Sequence, residues 1–241
     1  VLLDPNESPC IILKQMPVAV VTAENDEFVQ KIVAEFPEVF RKELGCLKGY
    51  EHNIRFDPHA TPVRSKVRNV PFAVREDMER ELRRLGDEGI IEEVEGTEWV
   101  APVVAARKPN GSMRLCVDLR ALNESVVIDK YPIPNITEML TLLDGATVFS
   151  TIDLQSAYHQ IRLSEQSKEY TAFVTPYGTY KFNRLPFGLV TAASVFQRAL
   201  ERVLKGIDGV KVYQDDIMVF GKSVHQHDQR LGKVLTRLRD A

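Results

Sequence analysis

Val212–Phe220 reads VYQDDIMVF, two adjacent acids, Asp215 and Asp216, set between apolar β-prone residues. Val210, Val212 and Tyr213 precede the pair, and Ile217, Val219 and Phe220 follow it. The alternation predicts two short strands joined by a tight turn at Gln214-Asp215-Asp216, a β-hairpin with the acids at its tip. Aspartate in a turn is ordinarily backbone chemistry, because its short carboxylate tolerates unusual angles and caps its own turn. A third acid gives the pair another meaning. Asp153, in FSTIDLQSAY, ends a second apolar β-prone run carrying Val148, Phe149 and Ile152. Carboxylates at the ends of neighbouring strands can hold two divalent cations roughly 3.5–4 Å apart, the arrangement that commonly drives nucleotidyl transfer.

The 241 residues are 44% hydrophobic and 27% charged, enough apolar material for one large core or two smaller ones. No apolar run approaches a membrane span and no basic-apolar-small pattern opens the chain, so neither anchor nor signal peptide is expected. The first residue is Val, which suggests a piece of something longer. Cys10, Cys46 and Cys116 are scattered without CxxC or Cys/His spacing, as in the reduced thiols of an intracellular protein. A formal net charge of −3 argues against a generally basic nucleic-acid binder but leaves room for a basic cleft.

Along the chain, residues 1–48 read as a linker with one docking helix, marked by Phe28, Ile32, Val33 and Phe36. An extended, Pro-punctuated segment follows, in which Arg64, Lys66 and Arg68 alternate; on a strand they share one solvated face. Val74, Met78, Leu82 and Leu85 recur at helical spacing, with Gly89 as the stop. Asn110-Gly111 between the β-prone runs 101–107 and 113–119 predicts a hairpin, its tip made basic by Arg107, Lys108 and Arg114. Such a tip suits solubility, and it also suits a lid over a triphosphate, since Arg grips phosphate with two bonds and Lys as a point charge. A short helix is expected over 135–144, then the strand ending at Asp153, then a hairpin with arms 171–175 and 179–183. Leu185-Pro186-Phe187-Gly188-Leu189 opens a helix with Val195, Phe196, Ala199 and Leu200 on its apolar side. A last amphipathic helix carries Leu231, Val234 and Leu235; His225 and His227, two apart, read as solvated or capping residues rather than metal ligands.

Taken together, RLCVDLRALN (114–123), FSTIDLQSAYHQIRL (149–163), TAFVTPYGTYKFNRLPFGL (171–189), FQRAL (196–200) and YQDD (213–216) resemble the reverse transcriptases of gypsy-type LTR retrotransposons and, more distantly, of retroviruses. The resemblance runs from about residue 50 to the end. It implies an α+β right-hand polymerase, with fingers from 49–127 and 161–190 and a ferredoxin-like palm sheet within 128–160 and 191–241. The thumb, the connection and the RNase H domain would lie beyond Ala241. Asp153, Asp215 and Asp216 match the catalytic, metal-holding acids. Arg114 and Lys108 match finger residues that hold the incoming nucleotide, Tyr158 the aromatic that senses its sugar, and Phe187 and Gly188 the segment beside the new base pair. Ala193 stands where the family often has Pro.

The implied reaction is attack of a primer 3′-hydroxyl on a deoxynucleoside triphosphate, on an RNA or DNA template, with two Mg²⁺ ions or Mn²⁺ as a substitute. Mg²⁺ prefers hard carboxylate oxygens, which suits three aspartates. Three like charges converging on one place raise one another's pKa unless cations are bound, a cost that favours a functional role. The implied partners are template-primer, dNTP and the rest of a pol polyprotein, with no membrane; cytoplasm and nucleus are both open. A transposon-derived remnant that folds, or binds nucleic acid or a partner, without polymerising is the alternative. An unrelated two-metal nuclease fits the acids but not the finger hairpin.

Overall fold

A computed structural model describes residues 12–15, 19–21, 27–107, 113–129, 131–132, 143, 145–213 and 215–241. In chain order its elements begin with β1 (Ile12–Gln15), β2 (Ala19–Val21), α1 (Glu27–Glu35), β3 (Glu51–His52), α2 (Phe72–Asp87), β4 (Ile91–Glu93), β5 (Ala101–Arg107), β6 (Met113–Val117) and α3 (Arg120–Asn123). They continue with β7 (Val148–Asp153), β8 (Arg162–Leu163), α4 (Glu165–Tyr170), β9 (Phe173–Thr175), β10 (Gly178–Phe182), α5 (Ala192–Val203), β11 (Val210–Tyr213), β12 (Asp216–Gly221) and α6 (Val224–Asp240). Backbone contacts gather the chain into two units. One takes Val1–Glu43, Tyr131–Ala157 and Ser194–Ala241, the other Leu44–Lys130 and Tyr158–Ala193.

The first unit is built on an antiparallel sheet in the order β11-β12-β7-β1-β2. Alternation along β7 puts Val148, Ser150 and Ile152 on the buried face and leaves Asp153 exposed at the strand's end. Its partner β12 buries Ile217, Val219 and Gly221 on the same side. Helix α6 covers β12 and β7 with Leu231, Val234 and Leu235, none of which reaches solvent. Each such aliphatic side chain contributes about 1.5–3 kcal/mol by leaving water, so this face fixes which way the acids at the strand ends must point.

Ser150 is the polar exception on that face. Its Oγ lies 2.7 Å from His227 Nε2, and His227 Nδ1 lies 2.9 Å from Asp228 Oδ1. The solvated or capping role expected for His227 is therefore corrected: it is 1% exposed. Ser223 caps α6 by accepting from the Gln226 N–H, and counting from that start His227, Leu231, Val234 and Leu235 fall on one helical face. The helix start comes so near the sheet that a Cβ on Gly221 would stand 2.7 Å from the His227 backbone nitrogen. Within residues 1–48, expected as a linker with one docking helix, the helix is α1, and β1 and β2 join the sheet, with Ile12 opposite Thr151 and Gln15 opposite Val148.

In the second unit the sheet runs β4-β10-β9-β5-β6, antiparallel except where β5 meets β9. Helix α2 packs on it with Met78, Leu82 and Leu85 buried, and Gly89 follows at φ 65°, the left-handed angle that ends a helix cleanly. β5 and β6 form the expected hairpin, whose tip at 108–112 lies outside the described residues. β9 and β10 form the other, and its turn is tied by Thr175 Oγ1, which accepts from Tyr177 N–H and donates to Gly178 C=O. The Arg64–Arg68 segment is not a regular strand. Arg64 makes a single bridge to Val100, and Arg68 reaches Asp118. The helix expected over 135–144 falls, but for Leu143, outside the described residues.

Candidate active site

Asp153 is the last residue of β7 and Asp216 the first of β12, and the two are direct partners across the antiparallel pair. Alternation places them on the face opposite the packed one, where both are exposed. Asp215 sits in the turn between β11 and β12, and its carbonyl accepts from the Leu154 N–H at 3.3 Å, which ties the turn to the end of β7. Asp153 and Asp216 thus lie opposite each other at the first unit's strand ends, with Asp215 in the adjoining turn.

Their electrostatics follow from the placement. Partial burial, then the charge of Asp215, raises the Asp153 carboxyl above the usual range, against a smaller lowering by the Leu154 N–H. Partial burial, then Asp153, then Asp215, raises Asp216. Asp153 and Asp216 are thus both raised in part by neighbouring acids, as converging like charges are. Among the described residues, no three His, Cys, Asp or Glu side chains close into a ready metal cage. A hard cation such as Mg²⁺ takes one or two carboxylates, keeps waters and shares substrate phosphates. The donor set, all carboxylate oxygen and open to solvent, fits such an ion.

The second unit holds the residues singled out for nucleotide binding. Tyr158 and Phe187 form an aromatic pair with centroids 4.9 Å apart, and Phe187 is 51% exposed. The ring of His159 meets Phe187 edge-on at 5.0 Å. Burial, then Arg84 and Arg184, pushes His159 down to about 4, so a neutral imidazole supports that platform at physiological pH. Gly188 adopts φ 89°, open to glycine and strained for other residues. Arg114 lies on β6 opposite Ala106, and Lys108 lies outside the described residues.

Two polar features escape a reading by periodicity. The Asn123 amide donates to the Gly188 C=O at 2.8 Å and accepts from the Val190 N–H at 2.9 Å, clamping the Phe187-Gly188 loop. Asp118 accepts from Arg68 at 2.9 Å and from Arg120 at 2.8 Å, and Arg120 above all holds its carboxyl far below the usual range. Both lie in the quoted block RLCVDLRALN, the one trace of them in the sequence.

Comparison with known proteins agrees with this geometry. Residues 106–241, more than half of the chain, match the family model "Reverse transcriptase (RNA-dependent DNA polymerase)". The chain is 35% identical over 226 residues to the retrovirus-related Pol polyprotein from transposon opus of Drosophila melanogaster, covering 89% of this chain and 22% of that one. To the Pol polyprotein from transposon gypsy, of the same fly, it is 38% identical over 187 residues, covering 75% and 18%. The mixed α+β fold matches the prototype foamy virus protease–reverse transcriptase with a TM-score of 0.80 at 22% identity, over 89% of this chain and 29% of that one. A foamy viral protease–reverse transcriptase in complex with an RNA/DNA hybrid gives a TM-score of 0.77 at 23% identity, over 90% and 30%.

The chain therefore belongs to the reverse transcriptase family, the RNA-directed DNA polymerases, which are nucleotidyltransferases that generally use divalent metals. Its relatives include the Pol polyproteins of gypsy-type retrotransposons, and it spans about a fifth of the length of the opus and gypsy polyproteins.

Proposed function

We propose that this chain extends a primer 3′-hydroxyl with deoxynucleotides on a nucleic-acid template, with Asp153, Asp215 and Asp216 as the catalytic, metal-holding acids. The register that sets Asp216 against Asp153, with Asp215 in the adjoining turn, carries the proposal. Two bound Mg²⁺ ions, with Mn²⁺ as a substitute, supply stabilisation of the charge that builds on the entering and leaving oxygens. The carboxylates would orient those ions, and the raised pKa values of Asp153 and Asp216 mark a site that gains when a cation relieves the repulsion.

The palm, its sheet ferredoxin-like, comprises 128–160 and 191–241, and the fingers 49–127 and 161–190. Tyr158 lies under the incoming sugar and rejects a ribose hydroxyl by bulk, Phe187 and Gly188 border the new base pair, and Arg114 and Lys108 hold the triphosphate. An RNA/DNA hybrid or DNA duplex is the fitting template-primer, as in the foamy viral relative's complex. The thumb and RNase H of a pol polyprotein are expected to work alongside.

Primer extension on a homopolymer template with Mg²⁺ or Mn²⁺ tests this, with Asp215→Asn and Asp216→Asn as controls. Incorporation that needs the template and vanishes in both variants supports the proposal. Absence of incorporation, even when a thumb is supplied, would instead identify a folded remnant.

A further inference from the structure

We propose that Gln197 is a positioning residue that fixes where the acidic turn is presented. This rests on the reading above, in which Asp215 and Asp216 are the working acids. Gln197 lies on α5 among apolar neighbours (Val195, Phe196, Ala199 and Leu200) and is completely buried. A buried amide is unfavourable unless its bonds are made, so an apolar residue would serve a purely packing role at least as well. Both of its described bonds are spent on one arrangement. The amide nitrogen donates to the Val212 C=O at 2.9 Å and to Glu201 Oε1 at 2.7 Å.

Glu201 is itself held, since its other oxygen accepts the Tyr131 hydroxyl. Val212 pairs with Ile217, one step before Tyr213 meets Asp216 at the mouth of the turn. β11 is the outer strand of the described sheet, so among the described residues no strand beyond it holds that carbonyl. Gln197 supplies a donor to that open edge one residue before Tyr213, whose pairing with Asp216 closes the turn. The line Tyr131–Glu201–Gln197–Val212 thus braces the hairpin from the helix side, while the β7 pairing braces it from the other.

The test compares the whole chain with its Gln197→Met variant, which keeps the length and loses the donor. Three readouts are taken: hydrogen exchange along 210–221, Mn²⁺ binding by water-proton relaxation, and thermal unfolding. Exchange around Tyr213–Ile217 should quicken, and the Mn²⁺ dissociation constant should rise, each by about 2- to 10-fold, the range set by one buried hydrogen bond. Amides of β7 should keep their protection. Unchanged turn exchange together with unchanged Mn²⁺ affinity overturns the proposal. Should Gln197→Met fail to fold, Tyr131→Phe loosens the far end of the brace and must give a smaller change of the same sign; no change overturns the proposal. Asp216→Asn serves as reference. If it leaves Mn²⁺ binding intact, the metal-holding role of the acids fails, and turn exchange alone then decides whether Gln197 is a brace.

Discussion

Asp216 stands directly across the strand pair from Asp153, at the ends of β12 and β7. Like charges in directly opposed positions destabilise a sheet, and nothing in the backbone demands acids there. Replacing either Asp153 or Asp216 by Asn should therefore stabilise the metal-free protein by about 0.5–1 kcal/mol while abolishing incorporation. Thermal unfolding in EDTA beside primer extension checks both halves. A variant that is less stable without metal contradicts this account of the pair.

The same pair sets a pH dependence. Both carboxyls have raised pKa values in the folded protein, so the native state holds these protons more tightly than the unfolded chain does. Their contribution is then full below the ordinary carboxylate pKa of about 4 and is lost as pH rises through the raised values. Asp118 works oppositely, since its lowered pKa gives stability that is present above the ordinary value and lost only on strong acidification. The margin by which Asp153→Asn/Asp216→Asn exceeds wild type in stability should widen as pH rises across that window, and Mg²⁺ should narrow it. Unfolding curves at several pH values measure that margin; a margin flat in pH removes the electrostatic cause.

Much of this site is local in the chain and so was legible there. Alternation and turn chemistry suffice to draw the Asp215 hairpin, and Gly89 announces the end of α2. His227 was misread because its partner Ser150 is 77 residues away and no helical period reveals a cross-element bond. The pairing of Ile12–Gln15 with β7 was missed for a related reason, since a four-residue strand in a Pro-bearing stretch carries too little pattern to stand out from a linker. Gln197 sits inside the quoted FQRAL, yet only coordinates disclose that its amide faces a strand edge.

Gly221 is the closest approach of α6 to the sheet. A methyl group there would meet backbone of His227 at 2.7 and 3.0 Å, which no side-chain rotation relieves. Gly221→Ala should cost about 1–3 kcal/mol by overpacking. Unfolding in urea should show a lower midpoint with an unchanged slope, whereas a wild-type midpoint would mean that α6 shifts freely.

Asn123 makes its two bonds to a loop 65 and 67 residues away. Asn123→Ala frees the Gly188 C=O and the Val190 N–H to water, and the stability cost should be about 0.5–1.5 kcal/mol per lost bond at most. On the proposal that this loop borders the new base pair, the KM for dNTP should rise more than kcat falls. Steady-state extension kinetics decide it; an equal fall in kcat with KM unmoved would place the loop away from the nucleotide.

β7 takes one neighbour, β1, from the beginning of the described chain and the other, β12, from near its end. During synthesis β7 must wait with one flank unpaired until the last hairpin leaves the ribosome, and a bare strand edge invites association with other chains. A product released before residue 216 lacks Asp153's partner across the sheet, so aborted translation yields sticky fragments without the full set of acids.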